Sequence, residues 1–109
     1  MNKYNELFQK LVPGLVRIYQ DSSIQIVLYG SAARGTDTEE SDLDIAIITP
    51  PCSKKTHDRM IDFVVDLELE YDKVLSVITI DPEEFSNWEA VLPFYKNLKR
   101  EGIILWPAA

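Results

Sequence analysis

Residues 24–48, IQIVLYGSAARGTDTEESDLDIAII, carry the reading on which the fold turns. Ile24 to Tyr29 is a short run rich in β-branched residues and suits a buried strand. It gives way to a small-residue turn, Gly30-Ser31-Ala32-Ala33-Arg34-Gly35, and then to a polar, acidic segment. Leu43 to Ile48 reads as a second buried strand, ended by Pro50-Pro51. Asp42 and Asp44 stand two residues apart at its start, so strand alternation turns both side chains to one face. Ionised carboxylates in a strand are costly unless something meets them. Two oxygen ligands on one face suit Mg²⁺, which takes carboxylates, waters and substrate phosphates. Gly30-Ser31 lies where a tight turn can aim backbone N–H groups at an anion, and the Ser31 hydroxyl adds a donor. A triphosphate cradled there and bridged by the metal would meet both aspartates.

The flanking sequence supplies the rest of an α/β sheet. Leu7, Leu11, Leu15 and Ile18 recur at helical spacing and predict an amphipathic helix over 3–20, which Pro13 should kink or divide. Ser53 is the expected N-cap of a helix over 54–70 with Met60, Phe63, Val64 and Leu67 on one face. Val74 to Ile80 is a third strand. Asp81-Pro82-Glu83-Glu84 opens a helical turn, and Pro93 breaks the region after it. Phe94 to Glu101 reads as a short helix stopped by Gly102, and Ile103 to Trp106 as a last strand or an extended tail. No repeat or linker interrupts the chain, so residues 1–109 are expected to form one α/β domain with helices covering a sheet. Phe85, Trp88, Phe94 and Trp106 are expected to seal the C-terminal part against the sheet, with a partner surface as the alternative. His57 is expected at the surface. Lys96, Lys99 and Arg100 read as a solvated helix face.

Composition narrows the function. The chain has 109 residues, 46% of them hydrophobic, and a formal charge of −7. Such acidity argues against binding a nucleic-acid backbone, which needs a basic footprint. Cys52 is the only cysteine, and nothing near His57 offers zinc-like spacing. No apolar run approaches the ~20 residues of a membrane span. Met1 to Glu6 does not open a signal peptide. A soluble, cytoplasmic protein is the expectation.

At Gly30-Ser31, ten residues, then Asp42-Leu43-Asp44, the sequence resembles the signature of the DNA polymerase β-like nucleotidyltransferases. It is most similar to their minimal members, small prokaryotic proteins of about this length. Arg34-Gly35 and the closing run from Phe94 to Ile103 extend the likeness over nearly the whole chain. The resemblance implies a single-domain mixed sheet with packed helices, the polymerase β-like palm. It also implies an Mg²⁺-dependent reaction in which a hydroxyl attacks the α-phosphate of a nucleoside triphosphate and pyrophosphate leaves. Asp42 and Asp44 would then be catalytic residues and metal ligands, and Gly30 and Ser31 would bind the nucleotide. Arg34 could contact the triphosphate too, since a guanidinium suits phosphate oxygens, or it could merely pair with Asp37 or Glu39.

The family pattern includes a third carboxylate on a neighbouring strand, and the strand from Lys73 to Ile80 has none. Ser76 falls where that acid would stand. Asp72 is the catalytic candidate in its place, provided the strand begins early enough for it to share the face of Ser76. Glu70 is a weaker candidate, and Asp81 has the opposite parity. Small proteins of this kind are commonly encoded beside a HEPN-domain protein, which the resemblance suggests as binder, substrate or both in a toxin–antitoxin pair. Two functions follow: transfer of AMP from ATP to such a partner, or neutralisation of the partner by a fold that has lost catalysis.

Overall fold

The computed structural model describes residues 4–20 and 24–107, so residue 3 of the expected first helix lies outside the described residues. The elements run α1 (Asn5–Ile18), β1 (Gln25–Tyr29), α2 (Gly30–Arg34), β2 (Leu43–Ile48), α3 (Lys54–Tyr71), β3 (Leu75–Ile80), α4 (Pro82–Trp88), α5 (Pro93–Glu101) and β4 (Ile103–Trp106). The strands form one four-stranded sheet in the order β3-β2-β1-β4. β1 runs antiparallel to β2 and β4, whereas β2 and β3 are parallel and joined through α3. A parallel pair needs such a long crossover. The sheet is therefore mixed, as the resemblance implied.

The alternation of β1 and β2 decides what each face carries. Ile26 and Leu28 with Leu43, Ile45 and Ile47 point to one side, where Leu11 and Leu15 of α1 and Met60, Val64 and Leu67 of α3 bury them. Val27, Ala46, Ile48 and Ile80 point to the other side and pack on Leu98 of α5, with Tyr29, Phe85 and Tyr95 against them. Strands covered on both faces read as nearly continuous apolar runs, which accounts for the composition of residues 24–28 and 45–48. Asp44 shares the parity of Ala46 and Ile48. It therefore faces the α4–α5 side, and it is only partly buried.

Pro13 does not divide the first helix: α1 is continuous from Asn5 to Ile18. The lost hydrogen bond and ring clash cost about 3 kcal/mol. Leu7, Phe8, Leu11, Leu15 and Ile18 are all buried from this one helix, and each such side chain is worth about 1.5–3 kcal/mol. Burial outweighs the proline. Gly14, next in the chain, lets α3 approach: a Cβ there would sit 2.6 Å from Cε2 and 2.7 Å from Cε1 of Phe63.

The other boundaries follow from capping. Ser53 accepts a hydrogen bond from the Thr56 backbone N–H at 3.2 Å and starts α3. Asp81 accepts from the Glu83 N–H at 2.9 Å and starts α4, with Pro82 in its first turn. Pro93 both ends the preceding segment and opens α5, a position where its missing N–H costs nothing. Residues 103–106 form a true edge strand. Gly102 lets it close on β1, since a Cβ there would lie 2.5 Å from Cγ1 of Val27.

The expected four-membered aromatic seal is not formed. Phe85 meets Tyr95 edge-on at 5.4 Å, Phe94 meets Tyr29 edge-on at 5.6 Å, and Phe94 and Tyr95 touch at 5.8 Å, so the rings that do meet are Phe85, Tyr95, Phe94 and Tyr29. Trp88, Phe94 and Trp106 stay 48%, 43% and 36% exposed. The reason is topological: Trp88 is the last residue of α4, while Trp106 ends the edge strand β4. Among the described residues no helix is long and apolar enough to cross a membrane.

Candidate active site

Gly30-Ser31 opens a helix, not a turn. Gly30 leaves β1 with φ +75°, and residues 30–34 then coil into α2, which ends at Gly35 with φ +78°. Ala32 and Ala33 favour the helix, and Ala32 is buried in the core. Left-handed φ values strain any side-chain-bearing residue, so both ends of α2 call for glycine.

Register brings the motif together. Tyr29 pairs with Asp44 across β1 and β2, which places Gly30 against that aspartate. A Cβ at Gly30 would lie 3.1 Å from the Asp44 Cγ and 3.3 Å from its Cβ, with Oδ2 closer still. The carboxyl of Asp44 thus occupies the space that the glycine leaves open. Asp44 pairs in turn with Ser76 across the parallel β2–β3 ladder. Ser76 Oγ donates to Asp42 Oδ2 at 3.3 Å. Asp42, Asp44 and Ser76 therefore gather on one patch of one sheet face.

The electrostatics of the patch are lopsided. Burial raises the Asp44 carboxyl above its ordinary pKa, the charge of Asp42 raises it further, and Arg34 opposes both. Tyr29 is also raised, first by burial and then by the charge of Asp44. Arg34 forms no ion pair with Asp37 or Glu39 among the described residues, and Asp37 accepts from the Tyr4 hydroxyl at 2.9 Å. Its guanidinium is felt at Asp44 instead. The patch is short of positive charge, and a hard divalent cation would meet that need. Among the described residues no third His, Cys, Asp or Glu joins the pair in a group able to hold a metal. Two carboxylates still fit Mg²⁺, which commonly binds one or two carboxylates and completes its shell with water and substrate phosphates.

Asp72 does not meet the condition set for it. α3 continues to Tyr71, Asp72 caps it in the left-handed conformation with φ 50°, and β3 starts only at Leu75. The helix outlasts its expected end, so strand alternation never carries Asp72 to the face of Ser76. Glu70 pairs with Lys10, and Asp81 is spent as the cap of α4. Two neighbours of the patch escaped the reading of the sequence. Tyr29 borders it through its register with Asp44, and α5 approaches from the side with Phe94, Asn97 and Glu101. Their spacing of three and four residues on one helix was the available signal.

A mixed sheet with α2 at the end of β1 and a same-face carboxylate pair at the start of β2, Asp42 just before the strand and Asp44 within it, is the layout of a nucleotidyl-transferring enzyme. The chain belongs to the nucleotidyltransferase domain family, which matches residues 9–105. It is 35% identical over 98 residues to "Putative protein adenylyltransferase MJ0604" of Methanocaldococcus jannaschii, covering 90% of this chain and 93% of that protein. It is 31% identical over 85 residues to "Putative protein adenylyltransferase MJ1305" of the same organism, covering 75% of this chain but only 58% of that protein. Two solved structures share the fold. One is a toxin-antitoxin with AMP-PNP, at 19% identity and TM-score 0.50 over 88% of this chain and 73% of the other. The second is a mutant of the toxin-antitoxin MntA-HpeT, at 18% identity and TM-score 0.51 over 86% of this chain and 71% of the other.

Proposed function

We propose that this nucleotidyltransferase moves AMP from Mg²⁺-bound ATP to a hydroxyl of a partner protein, as the antitoxin of a pair whose toxin is a HEPN-domain protein. One observation carries the reading: Asp42 and Asp44 share a face, the second seated against Gly30 and the first held by Ser76 at 3.3 Å. The two curated relatives are named as protein adenylyltransferases, and the structures of like fold are toxin–antitoxin assemblies, one with an ATP analogue. These names support the nucleotide and the kind of partner.

Asp42 and Asp44 would hold the metal, which when bound neutralises phosphate charge and polarises the reacting phosphoryl group. Ser31 and Arg34 would donate to phosphate oxygens. The acceptor oxygen forms a bond to the α-phosphorus, the bond from that phosphorus to pyrophosphate breaks, and the hydroxyl proton passes to the Asp42–Asp44 side of the patch. Asp72 has no part in this scheme. The test incubates the purified chain with Mg²⁺-ATP and the protein encoded beside it, then measures the partner's intact mass. A gain of one adenylyl group that Asp44→Asn abolishes is the expected result.

The serine on β3 favours one second reading, in which the chain neutralises its partner by contact alone. Neutralisation that persists without any mass gain, and equally in Asp44→Asn, would establish that reading and end the first.

A further inference from the structure

Beside Gly30, between the end of β1 and the inner side of α5, lies a cavity of about 240 Å³. Phe94 and Tyr29 form an aromatic pair in its wall, with ring centroids 5.6 Å apart. Asn97 and Glu101 border it from α5, and Arg34 and Gly30 from α2. Sites for drug-sized ligands run to about 300–1,000 Å³, so this space suits one flat ring system rather than a whole nucleotide.

Its lining is divided by chemistry. The α2 side brings a guanidinium and adjoins the Asp44 carboxyl through Gly30. The α5 side brings hydrogen-bonding groups of both kinds. Arg100 donates to Asn97 Oδ1 at 2.9 Å, which leaves the Asn97 amide N–H groups as donors. The Glu101 carboxylate is an acceptor, half-buried and without a side-chain partner among the described residues. A donor beside an acceptor matches the edge of a nucleobase, where N–H groups alternate with ring nitrogens or carbonyls. Exposed aromatic faces are what bases stack upon, and Phe94 stays 43% exposed at the rim.

We infer that this cavity is the nucleobase subsite, with Phe94 and Tyr29 contacting a purine face and Asn97 and Glu101 reading its edge. The inference rests on the reading of Asp42 and Asp44 as the metal-triphosphate site. It adds which part of the chain recognises the rest of the nucleotide: α5, through residues with no role at the phosphates. An acidic side chain at Glu101 suits an amino-bearing base and would repel a phosphate, which fixes the orientation of the nucleotide along the α2–α5 axis. Glu101 then serves as a specificity-determining residue.

The test compares ATP and GTP with inorganic tripolyphosphate, a ligand with the phosphates and no base. Calorimetry with Mg²⁺ measures each on the wild type, Phe94→Ala, Glu101→Gln and Asp44→Asn. Phe94→Ala should weaken ATP by about fivefold or more, the low end of a lost base–aromatic contact, and leave tripolyphosphate unchanged. Glu101→Gln, a gentler change to the fold, should alter the ratio of ATP to GTP affinity and again spare tripolyphosphate. If neither variant changes ATP relative to tripolyphosphate, the base does not lie here. Equal weakening of all ligands likewise overturns the inference, because the cavity then acts on the phosphates. Asp44→Asn keeps the two readings apart: Mg²⁺-dependent tripolyphosphate binding that survives it refutes the metal site, whatever α5 does to ATP.

Discussion

Replacing Gly30 with alanine tests whether the glycine exists for the backbone or for Asp44. Two separate penalties meet at this position. Its φ of +75° is left-handed, which costs an L-residue about 1–2 kcal/mol. The added Cβ would also press on Asp44, 3.1 Å from its Cγ and nearer to Oδ2. That contact yields cheaply in energy, because a carboxyl group can rotate away, but the rotation removes it from the patch. Gly35 is the natural control, since its φ is +78° and a Cβ there would meet nothing within 4 Å. Gly30→Ala and Gly35→Ala should therefore lose similar stability, about 1–2 kcal/mol each by denaturant titration. Only Gly30→Ala should lose Mg²⁺-dependent ATP binding, by about 10–100-fold, the range seen when the support of a metal ligand is disturbed. Calorimetry at fixed Mg²⁺ measures it. If both alanine variants bind Mg²⁺-ATP alike, Asp44 is not positioned by the open space at Gly30 and the reasoning fails.

Three further outcomes are expected. Asp44→Asn should abolish the strengthening of ATP binding by Mg²⁺ while leaving the melting temperature nearly unchanged or higher, because the residue's charge is already opposed by burial and by Asp42; persistence of the Mg²⁺ effect in titrations refutes it. Ser76→Asp should tighten Mg²⁺ binding by about tenfold by adding an oxygen ligand beside Asp42 and opposite Asp44, and an unchanged Mg²⁺ affinity would count against the patch. Asp72→Gly should stabilise the protein by about 0.5–1 kcal/mol, relieving φ 50° and removing a negative charge from the C-terminus of α3. Its adenylyl transfer should match the wild type; lost transfer would return Asp72 to the site.

Much of this architecture was legible in residues 24–48, because a strand's period of two is unforgiving. Leu43, Ile45 and Ile47 needed one side, so Asp42 and Asp44 took the other, and the register of β1 with β2 follows from the same constraint. What stayed hidden depended on competition between elements. Whether Asp72 would be helix or strand turned on the last residues of α3, which runs one residue past its expected end, held by Leu67 in the core and by the Lys73 N–H bonding to Glu68 O at 3.2 Å. Pro13 looked decisive locally, yet the buried face of α1 overrode it. The glycine motif suggested a turn, and the alanines after it made a helix. The α5 contribution was the least visible, since Phe94, Asn97 and Glu101 lie fifty or more residues beyond the motif they border, and the packing of Leu98 and the close approach at Gly102 bring them back.

The opposed faces of β2 also say where this chain can change length. Residues 36–41 link α2 to the strand through polar, mostly exposed side chains. An insertion there alters the path to Leu43 but not the phase of the strand, because the apolar teeth at 43, 45 and 47 must still engage the α1–α3 layer. Packing thus acts as a ratchet that resets the carboxylates after any upstream slip. A single residue inserted between Asp44 and Ile45 has the opposite effect, keeping the segment's composition while sending the acid toward the core. Length drift in this lineage should therefore accumulate before Asp42 and never between Asp42 and Ile48.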